Sequence, residues 1–423
     1  MKPSLQASPS LLEISDAARH GCAARIGIAK LAKLAFDGKD IRAIWRELMA
    51  KLLDGSGDAG EGLDLSLLAQ LLGDKPAGLA IQREVLLRHQ LFRAPCASKS
   101  PHLRVLALAA ATDMGSNTPI EFLLEEAGIE LMVLYVIPEA ELPLPLPEHD
   151  IAIVIASDSE DCQHTLRQID EVASRWPRPL LNPPERIGNL DRDKLHRLLT
   201  GIDGLVIPAT VEADRAQLLY VASSPAALSA VASELAFPLI IRPRGSHAGV
   251  GLAKVDDAAA LKLYLDGREE QAFFIARFVD YASEDGQFRK YRVVFVDGRP
   301  YACHMAIADR WDIWYLNAGM SASIAKRLEE ETFMRTFDIG FGRRHQSALS
   351  DVARRLGLDY FIVDCAETRD GSLLIFEADN TAVVHNMDPP SVFPYKPPQM
   401  CKIFEAFAAM LTRRVATERE RAA

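Results

Sequence analysis

The stretch Tyr360-Phe-Ile-Val-Asp364-Cys-Ala-Glu-Thr-Arg-Asp370-Gly371-Ser-Leu-Leu-Ile-Phe-Glu377-Ala-Asp379-Asn380 decides the fold. Apolar runs flank Asp370-Gly371, and Asp-Gly between such runs is among the stronger local signals for a β-hairpin. With Asp370 and Gly371 as the loop, Asp364 falls opposite Glu377. Asp379, two residues beyond, points to the same side because side chains alternate along a strand. Carboxylates gathered on one face of otherwise apolar strands repel one another unless a cation lies between them. A hard divalent ion with oxygen ligands, Mg²⁺ shared with nucleotide phosphates, meets that need. Asp364, Glu377 and Asp379 are therefore candidate metal ligands, with Asn380 as a substitute if the strand carries a bulge. The competing reading is a solvated acidic face, which strands this apolar do not favour.

Upstream lies Phe237-Pro-Leu-Ile-Ile-Arg242-Pro-Arg244-Gly245-Ser246-His247-Ala248-Gly249-Val250-Gly251. Glycines let the backbone turn sharply so that successive N–H groups converge on an anion, and Arg242 and Arg244 add charge beside it. No Gly-Lys-Ser/Thr follows, so this is not a P-loop, and taken alone the segment reads better as a simple flexible turn.

In this order the motifs resemble the ATP-grasp superfamily, in particular carboxylate–amine ligases similar to glutathione synthetase and the ribosomal protein S6 modification-type ligases. The matching elements are Arg242, the glycine-rich loop, Phe273-Phe-Ile-Ala-Arg-Phe278-Val279, Tyr291-Arg292, the hairpin acids, and upstream Asn182-Pro-Pro-Glu-Arg-Ile with Asp193-Lys194. The resemblance covers roughly residues 100–412. It implies an α/β and α+β chain: an ATP-grasp fold with a Rossmann-like N-terminal substrate domain, using ATP and Mg²⁺. It further implies that Lys194, Arg242, Arg244, Gly245, Ser246, Gly249, Gly251, Phe278, Val279 and Asp280 hold the nucleotide, and that Arg292 and Asn317 serve the transferred phosphoryl group. The substrate would lie against His304, His385, Asp388 and Lys396, although for His304, as for His247 and His345, a local hydrogen-bonding group is the default reading.

Three positions depart from the family pattern. Arg242 stands where Lys is usual, Ala276-Arg277 where a Gln/Glu pair is common, and Asp379 where Asn is commoner. The implied reaction activates a carboxylate as an acyl phosphate for attack by an amine, with small molecules or a peptide as substrates. Such chemistry relies on positioning and charge neutralisation more than on a protein nucleophile. The alternatives are a kinase that stops at the phosphorylated product, or a decayed nucleotide-binding module that recruits a partner.

Working outward, Leu103–Ala110, Glu130–Ile137 and Ile151–Ala156 are apolar runs alternating with helical patterns at Ile120–Ala127 and up to Val172, as in a parallel sheet with helices on its faces. Residues 11–93 read as successive helices broken at Asp54-Gly55-Ser56-Gly57. The resulting division is a helical cap (1–98), an α/β substrate domain (99–201), ATP-grasp lobes (202–412) with a last helix over Gln399–Thr412, and a charged tail (413–423). The cap lies outside the resemblance and reads as a packing layer, a homodimer contact or a partner-binding surface.

The 423 residues carry 48 Lys and Arg against 58 Asp and Glu, a net charge of −10. Nucleic acid binding by a generalised basic surface is thereby disfavoured. Residues 101–241 hold 9 basic and 21 acidic side chains, whereas 242–423 hold 25 and 26, so an anion site in the second part is compatible with an acidic chain. No apolar run suits a membrane span and no signal peptide is evident, which makes the cytoplasm the expected compartment. The six cysteines lack metal-ligand spacing, and reduced thiols are expected.

Overall fold

The computed structural model describes residues 12–15, 21–138, 140–246 and 249–422. One strand, Arg104–Ala110, is buried at all but its first residue, as a strand covered on both faces must be. It lies fourth in a six-stranded sheet ordered Ala23–Ala24, Leu91–Arg93, Glu130–Val136, Arg104–Ala110, Ile151–Val154 and Leu180–Leu181. All neighbours are parallel except Leu91–Arg93, which runs antiparallel to Glu130–Val136. Two short strands from the first hundred residues are thus built into this sheet, and the cap is continuous with the α/β unit. The helical pattern over Ile120–Ala127 yields α-helix only over Glu121–Leu124.

The cap helices are Ile28–Phe36, Ile41–Asp54, Ala59–Leu71 and Lys75–Leu86. The break after Asp54 falls where expected, because Gly55 takes the left-handed conformation (φ 78°) that ends a helix and that glycine adopts without strain. Ala59–Leu71 is the central cap helix, nine of its residues being buried.

Two further sheets follow. Thr210–Asp214, Ala272–Arg277, Leu239–Pro243 and Ala253–Val255 form a four-stranded antiparallel sheet. Helices Arg215–Ser223 and Ala258–Asp266 join it around a separate core that includes Leu218, Leu239, Ile241, Leu261 and Phe273. The larger sheet is ordered Arg299–Ala308, Phe288–Val296, Tyr360–Glu367, Leu373–Asp379 and Leu205–Val206, and shares one continuous core with the α/β unit. Asn182 ties the two together: its amide nitrogen donates to the Tyr360 carbonyl (2.8 Å) and its amide oxygen accepts from Asp359 N–H (2.8 Å).

The chain closes with one helix, Lys396–Ala422. The segment expected to be a tail after residue 412 is therefore helical, and Arg413, Arg414 and Arg419 pair with Asp297, Asp359 and Asp150. No described helix is long and apolar enough to cross a membrane. All six cysteines are free thiols.

Candidate active site

Cross-strand register sets a row of polar residues over four strands of the larger sheet: His304 opposite Arg292, Arg292 opposite Asp364, and Asp364 opposite Glu377. Directly opposed residues share a face. The Asp364–Glu377 pairing expected from the sequence is present, but it arises differently. The loop carries one more residue than Asp370-Gly371: Thr368 and Ser372 close it, and Gly371 supplies the positive φ (82°). Pairing then runs Cys365 to Ile375 until a bulge at Phe376 restores Asp364 to Glu377. Since the bulge precedes Glu377, alternation beyond it is undisturbed. Asp379 stays on the Glu377 side and Asn380 falls on the other.

The carboxylates are held by the protein's own cations. Arg292 makes a two-pronged contact to Asp364 (Nε–Oδ1 2.8 Å, Nη2–Oδ2 3.0 Å), and Lys290 Nζ lies 2.8 Å from Asp364 Oδ2. Arg192 reaches Glu377 Oε2 at 2.5 Å from the helix Arg192–Leu199. Burial alone would raise the Asp364 carboxyl, but the charges of Arg292 and Lys290 outweigh it and hold it well below the carboxylate range. Glu377 is likewise lowered to about 2, its burial opposed by Arg192 and Lys290. Asp379, which accepts from the Thr381 N–H (2.7 Å) and hydroxyl (2.9 Å), is raised by burial, with Glu377 adding to the effect. Asp158, at the α/β unit's edge of the site, is pushed up to about 7 by burial and by Asp379 and Asp191.

The smaller lobe presents a different balance. Gly245 and Gly249 have positive φ with open space where a Cβ would sit, whereas a Cβ on Gly251 would come within 2.6 Å of Pro243 Cδ. Arg242 donates to the Ser246 hydroxyl (3.2 Å) and carbonyl but meets no carboxylate among the described residues. Burial and then Arg192 lower its guanidinium to about 10. Arg244 is engaged, bridging Glu212 of its own lobe and Glu160 of the α/β unit at 2.7 Å each. His247 lies outside the described residues.

Between the lobes, Phe278 N–H donates to the Pro238 carbonyl (2.9 Å), while its ring stands edge-on to Trp311 (5.9 Å) and beneath Lys254 Nζ (4.8 Å). Val279 packs beside Tyr281, and Asp280 turns to Ala282 N–H (3.0 Å) and Arg369 (3.4 Å).

On the substrate side, His304 is tilted against Tyr315 (4.7 Å) and kept neutral by burial and by Arg292 and Lys396. His385 accepts from Met387 N–H at Nδ1 (3.1 Å) and meets the rings of Phe36 in the cap and Phe122 in the α/β unit. Lys396, 3% exposed, pairs with Asp388 (2.7 Å) and with the fully buried Glu330 (3.4 Å), which also accepts from the Tyr315 and Tyr395 hydroxyls (3.0 and 2.6 Å). Lys396 and Asp388 therefore fasten the loop that carries His385.

Three expected residues do not meet the row. Asn317 is spent on its own loop, accepting from Trp314 N–H (3.1 Å) and donating to the Asp312 carbonyl (3.0 Å). Asn380 is fully buried and donates to Ala156 O (2.9 Å). Lys194 is exposed: on one helix, residues two apart point to nearly opposite sides, and Arg192 is the one that faces the sheet. Arg192, Lys290 and Asp158 were missed by sequence reasoning. Arg192 stands in the same Asp-Arg-Asp-Lys run that drew attention to Lys194, and helical phase would have separated them only with a known neighbour.

A small antiparallel lobe bearing a glycine-rich turn and a larger sheet bearing paired acids, set beside an N-terminal α/β unit, make this a fold of ATP-grasp type. Similar solved structures include a RimK domain protein ATP-grasp from Sphaerobacter thermophilus (19% identity, 73% of this chain and 99% of that one, TM-score 0.41). Others are a D-Ala:D-Ser ligase from Enterococcus faecalis (11% identity, 73% and 99%, TM-score 0.44) and the D-alanine-D-alanine ligase from Coxiella burnetii (9% identity, 76% and 98%, TM-score 0.47). No family model and no curated protein matches the chain.

Proposed function

We propose that the protein is an ATP- and Mg²⁺-dependent carboxylate–amine ligase. The observation that carries this reading is the asymmetry of charge in the site. Arg242 is part-buried beside the small lobe's turn, meets no carboxylate among the described residues, and sits near a second cation, Arg192, as a phosphate-binding group would. The acids it would otherwise pair with are neutralised across the site by Arg292, Lys290 and Arg192.

The all-oxygen donor set of Asp364, Glu377 and Asp379 suits a hard divalent ion. Among the described residues no group of three His, Cys, Asp or Glu side chains is gathered as a ready-made metal site, because Asp364 and Glu377 face cations. Arg292, Lys290 and Arg192 would have phosphate oxygens to turn to if Mg²⁺ and a nucleotide were bound together there, leaving the carboxylates to the ion. When bound, ATP supplies the phosphoryl group that makes a carboxylate an acyl phosphate, and Mg²⁺ supplies charge neutralisation.

The chain's own residues position and shield. Arg292 and Lys290 stand beside the carboxylates to stabilise negative charge as it is redistributed. Backbone N–H groups of Gly245 and Gly249 to Gly251 are available to a phosphate there. Neutral His304, next to Arg292, lines the carboxylate's place without adding charge. Asp158, with a carboxyl pushed up to about 7, can take a proton from an incoming ammonium near neutrality. The test is ADP release by purified protein across a matrix of carboxylates and amines: release that requires one member of each class supports the reading, and failure to bind Mg²⁺-ATP in a calorimeter overturns it.

A further inference from the structure

The cap lies outside the ATP-grasp lobes, yet one of its side chains reaches the loop that follows the acid hairpin. Phe36 ends the helix Ile28–Phe36, and its ring meets that of His385 at 6.0 Å. It is not withdrawn into the cap, remaining 44% exposed.

His385 itself is held in one orientation. Met387 N–H donates to its Nδ1 (3.1 Å), the buried ring of Phe122 stands at 6.1 Å, and Asp388, three residues on, is fastened by Lys396 (2.7 Å). Because a backbone N–H can only donate, Nδ1 carries no proton and the neutral ring has its proton on Nε2. Burial keeps the ring neutral, with Asp388 opposing it and Lys396 and Arg292 adding to it. The Nε2–H makes no hydrogen bond among the described residues and is not enclosed, so it is a donor presented outward.

Two apolar side chains flank this donor. One is Phe36, and the other is Val383, 46% exposed and two residues before His385, hence within about 7 Å of it along the chain. A single exposed apolar side chain is ordinary, but two beside a fixed donor offer a ligand both burial and direction. The charges select its sign. Arg292 and Lys396 are the cations that act on His385, whereas Asp388, the acid that acts on it, is spent on Lys396. The position suits an anion and disfavours an ammonium group.

We infer that the cap sets the specificity of the proposed ligase: the carboxylate substrate bears an apolar side chain that packs against Phe36 and Val383, while its carboxylate accepts from the His385 Nε2–H. The fate of that carboxylate rests on the ligase reading, but the binding is measurable apart from turnover. Phe36 is then a specificity-determining residue supplied from outside the catalytic lobes.

Calorimetry on the full chain, with and without Mg²⁺ and a non-hydrolysable ATP analogue, compares N-acetylglycine, N-acetylleucine and N-acetylphenylalanine, with leucinamide as the cationic counterpart. The two larger acetyl derivatives should bind about tenfold or more tighter than N-acetylglycine, and leucinamide more weakly than any of them. Phe36→Ala should bring the three carboxylates within about threefold of one another, and Phe36→Leu should keep most of the preference. Val383→Ala should lower the preference too, and decides if Phe36→Ala does not fold. His385→Phe, which removes the donor, should weaken all three carboxylates alike. Equal affinities in the native chain, a preference kept by folded Phe36→Ala, tighter binding of leucinamide, or no binding of any carboxylate overturns the inference. ADP release from carboxylates without this preference also overturns it and leaves the ligase reading standing, whereas the preference in binding with no ADP release from any pair counts against the ligase reading alone.

Discussion

The two faces of the candidate active site handle charge in opposite ways. On the larger sheet Arg292, Lys290 and Arg192 meet Asp364 and Glu377 at 2.5–2.8 Å, so these two acids have cationic partners. On the smaller lobe Arg242 has, among the described residues, only the hydroxyl and carbonyl of Ser246 as partners. A buried ion pair is close to neutral for stability, whereas a buried lone charge is a liability retained for another reason. Two acids of the larger face are thus balanced by the chain's own cations, whereas the cation of the smaller face meets no carboxylate among the described residues.

The strongest way to break this contrast is to remove the acid on which the larger face is built. Asp364→Asn should lower metal-dependent ADP release by roughly a hundredfold or more, since ion-assisted charge stabilisation is worth several kcal/mol. Release within a few-fold of the native rate would show that Asp364 is not where the ion acts.

Next is a paired comparison of two arginines. Arg242→Met should cost about tenfold to a hundredfold in ATP affinity by calorimetry while leaving the melting temperature unchanged or higher, because the lost cation had no carboxylate. Arg292→Met should instead cost about 1–3 kcal/mol of stability in urea unfolding, Lys290 remaining to hold Asp364 in part. Equal destabilisation by the two would remove the distinction between the faces.

A smaller effect is expected at Arg192, which is partly exposed and so contributes modestly to its pair. Arg192→Gln should tighten Mn²⁺ binding in the absence of nucleotide by about three- to fivefold, as it frees Glu377. Unchanged Mn²⁺ affinity would mean that the cation does not compete with the metal.

How much of this was legible in the residues depends on the range of the interaction. The hairpin acids were readable because strand alternation and a two-sided turn signal fix which residues oppose, and Asp364 does face Glu377 even though a longer loop and a bulge at Phe376 compensate each other. The neighbours across strands were not readable: His304, Arg292 and Asp364 share a row only through the order in which three strands pair. Lys290 pairs with Asp364 for the same reason. Asn317 and Lys194 illustrate the converse error, in which a residue of the right type in the right run is turned elsewhere by its own loop or by helical phase. The cap was legible as helices but not as part of the sheet, since Leu91–Arg93 is too short to signal a strand on its own.

The most specific test separates two acids of one site by pH. Burial, with Asp379 and Asp191, pushes the Asp158 carboxyl up to about 7 in the folded chain against about 4 when unfolded, so between those values the folded state binds more protons and stability falls as pH rises. Glu377, lowered to about 2, works the other way: its contribution is present above its unfolded value and is lost as pH falls toward 2. The two windows meet near pH 4 and do not overlap. Asp158→Asn should therefore melt at the same temperature as the native chain near pH 4, and at a temperature higher by a few degrees at pH 8, measured with chelator so that no metal contributes. A gap that is constant from pH 4 to 8 would mean that the substitution acts through packing, and would remove Asp158 from the groups whose proton is held by the acids around it.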